Sequence, residues 1–206
     1  MLCKIALYGK EDTRVARVLH NIGLSLINLH KYNEALTTFL DSLNIQKKKL
    51  GDHHPDVAAS LYNVGVIYHR RGLYREALDF YQQTLTAEKA CHGESHEEIA
   101  LTLFSIGVIH NQLGEQDAAF SVFSEIVRLK RSPNEEIDEK DIRVAKALNY
   151  IGNIHLSRGH VVDAMSSFTE SIRIFRNAGM SDENLLVEGM PLYNVSLIQP
   201  CAAAAA

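Results

Sequence analysis

Residues 58–81 read AASLYNVGVIYHRRGLYREALDFY, and this stretch decides the fold because its pattern of small and large residues recurs along the chain. Gly65 has counterparts at Gly23, Gly107 and Gly152, at successive spacings of 42, 42 and 45 residues. Each glycine has an alanine seven before it, a leucine four before, an alanine twelve after and an aromatic residue sixteen after. These positions are Ala16, Ala58, Ala100 and Ala145; Leu19, Leu61, Leu103 and Leu148; Ala35, Ala77, Ala119 and Ala164; and Phe39, Tyr81, Phe123 and Phe168. A fixed period of this length is typical of a helical repeat array.

Each repeat contains two amphipathic helical stripes. In the first, small or apolar residues fall at offsets −7, −4, −1, 0 and +3 from the glycine, which is one face of an α-helix. In the second repeat, the second helix is predicted at 75–91 with Ala77, Leu78, Tyr81 and Leu85 facing inward. A glycine between the two helices suits a left-handed helix end. The predicted breaks are Gly72, Gly114 and Gly159, with Lys31-Tyr32-Asn33 serving in the first repeat.

These stripes predict an all-α fold, an α-solenoid of stacked antiparallel helix pairs in a single array over residues 1–201. One helix pair cannot bury its apolar face alone, so neighbouring pairs must stack. The predicted divisions are the tail of a preceding repeat at 1–8, repeats at about 9–50, 51–92, 93–137 and 138–181, and a partial fifth repeat at 182–201. Because both ends cut through a repeat, we expect the natural protein to extend further. The alanine run 202–206 is either native sequence or a placeholder for residues of unknown identity.

Local signals agree with these boundaries. In His54-Pro55 the proline falls in a first helical turn, where its missing N–H costs nothing. Ser95 with Glu98 fits a capping box. The acidic stretch 132–141 is predicted to be an enlarged loop between the third and fourth repeats.

The composition argues against several classes of protein. The 206 residues include 21 basic and 25 acidic residues, a net charge of −4, whereas nucleic-acid binders usually have a basic surplus. No apolar run approaches the length of a membrane span, so direct membrane insertion is not expected. The cysteines Cys3, Cys91 and Cys201 stand far apart and form no disulfide framework. We therefore expect a reducing compartment, the cytoplasm, or an organelle interior if a targeting segment has been removed.

Candidate chemistry is sparse. The chain has no glycine-rich phosphate loop and no nucleophile motif, so we expect no enzyme activity and no cofactor. His92 and His96 have a spacing that suits metal ligands on a helix, but His96 occupies the repeat position of His54. His110 and His155 both lie at offset +3, at the edge of the predicted core. The sequence therefore predicts no metal site and no catalytic residue.

The recurring leucine, glycine, tyrosine or histidine, alanine and aromatic positions resemble the tetratricopeptide repeat. With a 42-residue period and the loop Gly51-Asp52-His53-His54-Pro55-Asp56, the chain is similar to the repeats of kinesin light chains over residues 9 to about 200. The resemblance implies a right-handed superhelix whose first helices line a concave groove. It also implies a protein that binds other proteins. Chaperone-binding members of the family clamp a peptide carboxylate with lysine, asparagine and arginine, and here only Asn63 and Lys146 match that set.

The predicted binding site lies on the groove side of the first helices, about one residue round from the core stripe. Tyr62 and Phe104, at offset −3, are predicted to anchor a ligand within an apolar patch, although these side chains could instead be partly buried between repeats. The twelve predicted partner-binding residues are Asn21, Leu24, Tyr62, Asn63, Val66, His69, Leu101, Phe104, Val108, Asn111, Asn149 and Asn153.

Two functions are consistent with these sequence features. The first is a non-catalytic scaffold or adaptor that binds a peptide or helix in its groove. The second is a constitutive architectural subunit of a large multi-protein complex, which would contact its partners by its edges and convex face. Both functions require protein partners, and the sequence does not identify them.

Overall fold

The computed structural model describes residues 12–92, 97–129, 141–187 and 190–203. Over these residues the chain forms α-helices and no strand, as the sequence predicts. The helices are α1 (Thr13–Asn28), α2 (Tyr32–Leu50), α3 (Pro55–Arg70), α4 (Tyr74–His92), α5 (Glu97–Gln112), α6 (Gln116–Leu129), α7 (Ile142–Ser157), α8 (Val161–Asn177), α9 (Asp182–Leu185) and α10 (Pro191–Ala203). Among them, none is both long and apolar enough to cross a bilayer.

Consecutive helices pack as pairs. In the described part of the chain α1 packs on α2, α3 on α4 and α7 on α8, and these pairs stack through contacts of α2 with α3, α6 with α7, and α8 with α10. Two compact units result, Met1–Ile109 and His110–Ala206. The stacking of successive helix pairs confirms the predicted solenoid type of fold. The short helix α9 was not predicted from the sequence.

The recurring glycine and aromatic residue touch one another inside the α1–α2, α3–α4 and α7–α8 pairs. A Cβ atom added to Gly65 would lie 2.8 Å from the ring of Tyr81, sixteen residues further on. Likewise, a Cβ atom on Gly23 would lie 2.6 Å from the ring of Phe39. Because both rings are fully buried, the first helix can approach the second only where it lacks a side chain. The period seen in the sequence is therefore the period of a helix-crossing contact.

The turns inside the pairs are left-handed where glycine was predicted to break the chain. Gly72, Gly114 and Gly159 have φ of 73°, 75° and 76°. In the first repeat, the prediction that Lys31-Tyr32-Asn33 serves this purpose is wrong, because the left-handed residue is His30 with φ of 57°. Histidine is among the residues enriched in this conformation, and the His30 Nδ1 atom lies 3.0 Å from the Tyr32 hydroxyl.

The start of α3 also confirms a prediction. Pro55 is the first residue of the helix, and the N-cap residue His54 accepts a hydrogen bond from the Asp56 N–H at 3.1 Å. Several other predictions lie outside the described residues: the preceding-repeat tail at 1–8, Ser95 of the capping box, His96, and the acidic loop except for its last residue. That residue, Asp141, caps α7 by accepting from the Arg143 N–H at 2.9 Å.

Candidate functional site

The exposed side of α1 is a regular stripe. Arg17, Asn21, Leu24 and Asn28 are all exposed, and their spacing of four, three and four residues follows one face of the helix. They occupy offsets −6, −2, +1 and +5 from the repeat glycine. The structure therefore places the outward face of a first helix at these four offsets.

The same offsets continue along α3 and α5 within the first compact unit. We call this surface the open face. It consists of Arg17, Asn21, Leu24, Asn28, Ala59, Asn63, Val66, Arg70, Leu101, Ser105 and Val108. Leu24 and Leu101 are 39% and 42% exposed, so the face presents apolar surface to solvent on both α1 and α5. Asn63, Val66 and Val108 are half-buried, so α3 and α5 present less of their side chains to solvent here than α1 does.

At offset −3 of the second repeat, Tyr62 packs along the boundary between its own repeat and the next. The Tyr62 hydroxyl on α3 lies 3.2 Å from the Ser105 hydroxyl on α5, and its ring packs 5.3 Å from that of Tyr81. Burial raises the pKa of Tyr62. Tyr62 therefore links two first helices through its polar end while its ring lies against the second helix.

The two other described junctions follow the same rule, in which offset −3 of one repeat meets offset −2 of the next. On α1, the Nδ1 atom of His20 lies 3.0 Å from the Ser60 hydroxyl, and its Nε2 atom lies 3.5 Å from the Asn63 amide nitrogen. Burial lowers the pKa of His20, which favours a neutral ring. In the second unit, the amide of Asn194 donates to Asn149 Oδ1 at 3.1 Å. We call these contacts the polar seam.

The twelve predicted site residues separate into three groups by exposure. Those exposed are Asn21, Leu24, Leu101 and Asn111; those half-buried are Tyr62, Asn63, Val66, His69, Phe104, Val108 and Asn153; and Asn149 is buried. The first unit brings together all of them except Asn111, Asn149 and Asn153, which belong to the second unit. The amides of Asn149 and Asn153 both accept from Asn194, so they serve packing between α7 and α10.

Of the open face, sequence reasoning missed Ser105. It could have been recognised because offset −2 carries Asn21, Asn63, Ser105 and Asn194 in four of the repeats, with Tyr150 there in the remaining one. The face carries Arg17 and Arg70 as cations and no acidic side chain. Its chemistry is amide and apolar at the centre, with guanidinium groups at the margins.

A buried carboxyl lies between α4 and α5. Glu88 on α4 is 5% exposed and accepts a hydrogen bond from the Thr102 hydroxyl on α5 at 2.9 Å. The pKa of Glu88 is raised from 4.5 to about 7, mainly by burial; the hydrogen bond from Thr102 opposes the shift and the nearby Glu98 carboxylate adds to it. Its second oxygen, Oε2, is buried with no hydrogen-bond partner among the described residues. Glu88 therefore joins two helices at an electrostatic cost above neutral pH.

Comparison with known proteins agrees with this geometry. Residues 14–90 match the sequence model of the tetratricopeptide repeat family. No curated protein matches the chain in sequence. The crystal structure of BtubC (BKLC) from P. vanneervenii is similar with a TM-score of 0.72 and 14% identity, over 82% of this chain and 67% of that chain.

Two further solved structures show the same fold. A Podosopora anserina chain described as a putative kinesin light chain with nearly identical TPR-like repeats has a TM-score of 0.65 and 16% identity, over 80% of this chain and 76% of that one. MamA has a TM-score of 0.60 and 15% identity, over 80% of each chain. At these identities the likeness concerns the fold alone, and it confirms the predicted fold of stacked tetratricopeptide-type helix pairs.

Proposed function

We propose that this tetratricopeptide-repeat chain is a non-catalytic scaffold that binds a peptide or helix of a partner protein on the open face. The observation that carries the proposal is the stripe at offsets −6, −2, +1 and +5 of the first helices, which is exposed throughout on α1 and ranges from exposed to half-buried on α3 and α5. Apolar side chains exposed beside hydrogen-bonding amides are typical of surfaces that bind proteins.

The chemistry of the open face favours an uncharged or amphipathic segment. The side-chain amide of Asn21 makes no hydrogen bond with any described residue, and an amide can both donate to and accept from a peptide backbone. Leu24, Val66 and Leu101 provide apolar surface for alternate side chains or for one face of a helix. Arg17 and Arg70 at the margins would favour acidic residues that flank the bound segment.

The polar seam supports this function indirectly. Tyr62 and His20 fix the spacing of neighbouring first helices through hydrogen bonds to the next repeat. A face whose helices are already fixed in place loses less conformational freedom on binding. The seam residues are thus expected to support the binding surface, and the side chains at offsets −2 and +1 are expected to contact the ligand.

A matched pair of variants tests the proposal. Leu101 on the open face and Leu40 on α2 are equally exposed, at 42% each. A peptide selected from a random phage-displayed library against the chain would be measured by fluorescence anisotropy with Leu101→Glu and with Leu40→Glu. We expect at least a tenfold loss of affinity for Leu101→Glu and no change for Leu40→Glu, because only the first buries a charge under the ligand. The opposite ranking would contradict the open-face proposal.

A second candidate function, an architectural subunit held by its edges, is favoured by a different observation. Leu29, after α1, and Val162, in the first turn of α8, are 66% and 82% exposed, more than any other large hydrophobic residue in the described part of the chain. Neither lies on the open face. If edge contacts hold the chain in a complex, Val162→Glu should release it from its native complex in a salt wash that leaves Leu101→Glu bound.

A further inference from the structure

Three metal-binding side chains meet at the turn between α7 and α8. His155 lies in the last turn of α7, His160 is the N-cap residue of α8, and Asp163 lies in the first turn of α8. One donor atom from each lies within 4.8 Å of the other two. The rings of His155 and His160 have their centroids 6.0 Å apart. The cluster is contained within the second compact unit.

Comparison with the preceding repeat shows what is unusual here. At the same two repeat positions, offsets +3 and +8, the third repeat has His110 and Glu115, whose Nδ1 and Oε2 atoms lie 2.6 Å apart. The fourth repeat has His155 with His160 in place of the glutamate. The Nδ1 atom of His155 is buried and has no hydrogen-bond partner among the described residues. A histidine that is paired in one repeat thus faces a second imidazole in the next.

The other two side chains are accessible and uncommitted in the described part of the chain. His160 is exposed and makes no capping hydrogen bond through its side chain. Asp163 is exposed, and its carboxylate has no described hydrogen bond or ion pair. An acid in the first turn of a helix interacts favourably with the helix dipole, which explains an aspartate here but not the two imidazoles beside it.

The neighbouring groups leave the turn open to a cation. Arg158, the nearest basic residue in the turn, donates to the Asp117 carboxylate at 2.6 Å and lies 5.4 Å above the ring of Phe120. The ring of Phe120 also packs edge-on against His155 at 5.3 Å. The guanidinium is therefore engaged by α6, and the His155 ring is held in place by Phe120.

We propose that His155, His160 and Asp163 bind a divalent transition-metal ion of the zinc class, with water completing the coordination. Two imidazoles and one carboxylate form a ligand set that suits such ions. Ligand bonds of about 2.0–2.2 Å place donor atoms roughly 3.3 Å apart in a tetrahedral site, so a small side-chain rotation of the exposed His160 and Asp163 would close the set. The ion would clamp the turn that joins α7 to α8.

Titration of the metal-free chain with Co²⁺ and Zn²⁺ tests the proposal. We expect one equivalent of Co²⁺ to give the visible absorption of a tetrahedral site, and Zn²⁺ to displace it. Zn²⁺ should also raise the melting temperature of the chain. His160→Asn and Asp163→Asn should each weaken Zn²⁺ binding at least tenfold in competition with a chromogenic chelator. Both residues are exposed, so these variants should fold.

His53→Gln is the matched control, because His53 is an exposed histidine in the loop before α3. Unchanged Zn²⁺ affinity in this variant, with loss in the other two, would support the site. Absence of the cobalt absorption in the wild type would overturn the proposal. So would Zn²⁺ binding that is insensitive to His160→Asn and Asp163→Asn, since the ion would then be held by histidines elsewhere.

Discussion

Glu88 occupies a position that is unfavourable for an ionised carboxylate. Its carboxyl is buried between α4 and α5 with one oxygen bonded to Thr102 and the other without a described partner. Gln46, at the same position of the preceding repeat, is also buried with an unpartnered oxygen. The first two repeats therefore have a polar side chain at this buried position, neutral in Gln46 and titratable in Glu88, whereas the fourth repeat has the apolar Phe175 there.

This difference predicts a pH dependence of stability. The folded-state pKa of Glu88 is raised from 4.5 to about 7, so the folded chain retains a proton that the unfolded chain releases. The stabilisation is fully present below pH of about 4.5 and is lost as the pH rises through about 7. Glu88→Gln should remove this dependence and should be more stable than the wild type at pH 8. Over pH 5 to 8 we expect a relative change of about 1–3 kcal/mol, since each pKa unit corresponds to about 1.4 kcal/mol.

Urea unfolding of both proteins at pH 5 and pH 8 measures this effect. The glutamine variant is the control for the other titrating groups, including His20, which act equally in both proteins. Parallel stability profiles for the two proteins between these pH values would show that Glu88 is ionised throughout, and the prediction would be wrong.

At the scale of helices, the polar seam explains how neighbouring repeats keep their register. Close packing of apolar residues sets the distance between helices, but it tolerates sliding better than hydrogen bonds between fixed positions do. The seam uses His20 with Asn63, Tyr62 with Ser105, and Asn149 with Asn194 at equivalent positions. Different chemical groups therefore perform the same function at three junctions.

The junction between α7 and α10 offers a direct test of the seam. Asn194→Ala removes the donor that serves both Asn149 and Asn153, and Asn149 is buried. Loss of a hydrogen bond in a buried setting costs about 1–3 kcal/mol. Hydrogen exchange should become faster in α10, while the amides of α3 keep their protection. Asn28→Ala, at an exposed position of α1, is the control, and equal exchange in α10 for the two variants would refute the role of the seam.

At the scale of the whole chain, the two compact units predict that damage stays local. In repeat arrays stability is approximately a sum of repeat and nearest-neighbour terms. Gly65→Leu should force the fully buried Tyr81 aside, because even a Cβ atom would lie 2.8 Å from its ring. Overpacking of this kind costs about 1–3 kcal/mol, occasionally more. The rate of amide hydrogen exchange should increase in α3 and α4 and remain unchanged in α7 and α8.

The mirror experiment uses Gly152→Leu, where a Cβ atom would lie 2.5 Å from the ring of Phe168. This change should make amide hydrogen exchange faster in α7 and α8 and leave it unchanged in α3 and α4. If either variant raises exchange uniformly along the chain, the array unfolds as one cooperative body and the prediction of local damage is wrong.

The sequence alone determined the repeat register, the helix pairs and the turns, because these depend on residues close together in the chain. Gly72 and Gly159 mark left-handed turns, and the contact of Gly65 with Tyr81 has a constant separation of sixteen residues. Such features recur, and recurrence can be read without knowing how repeats stack. The left-handed turn at His30 was not predicted, because a histidine in this conformation is a less distinctive sequence signal than a glycine.

The tertiary structure alone decided which side chains face outward and which join neighbouring repeats. Offsets −3 and −2 are adjacent on a helix, and a rotation of about 100° per residue separates a ligand-facing residue from one packed on the next repeat. The stacking of the following repeat fixes that rotation, and so it buries Asn149 while leaving Asn21 exposed. The meeting of His155, His160 and Asp163 depends likewise on how a turn folds back, because side chains from two helices converge only when the helices are packed.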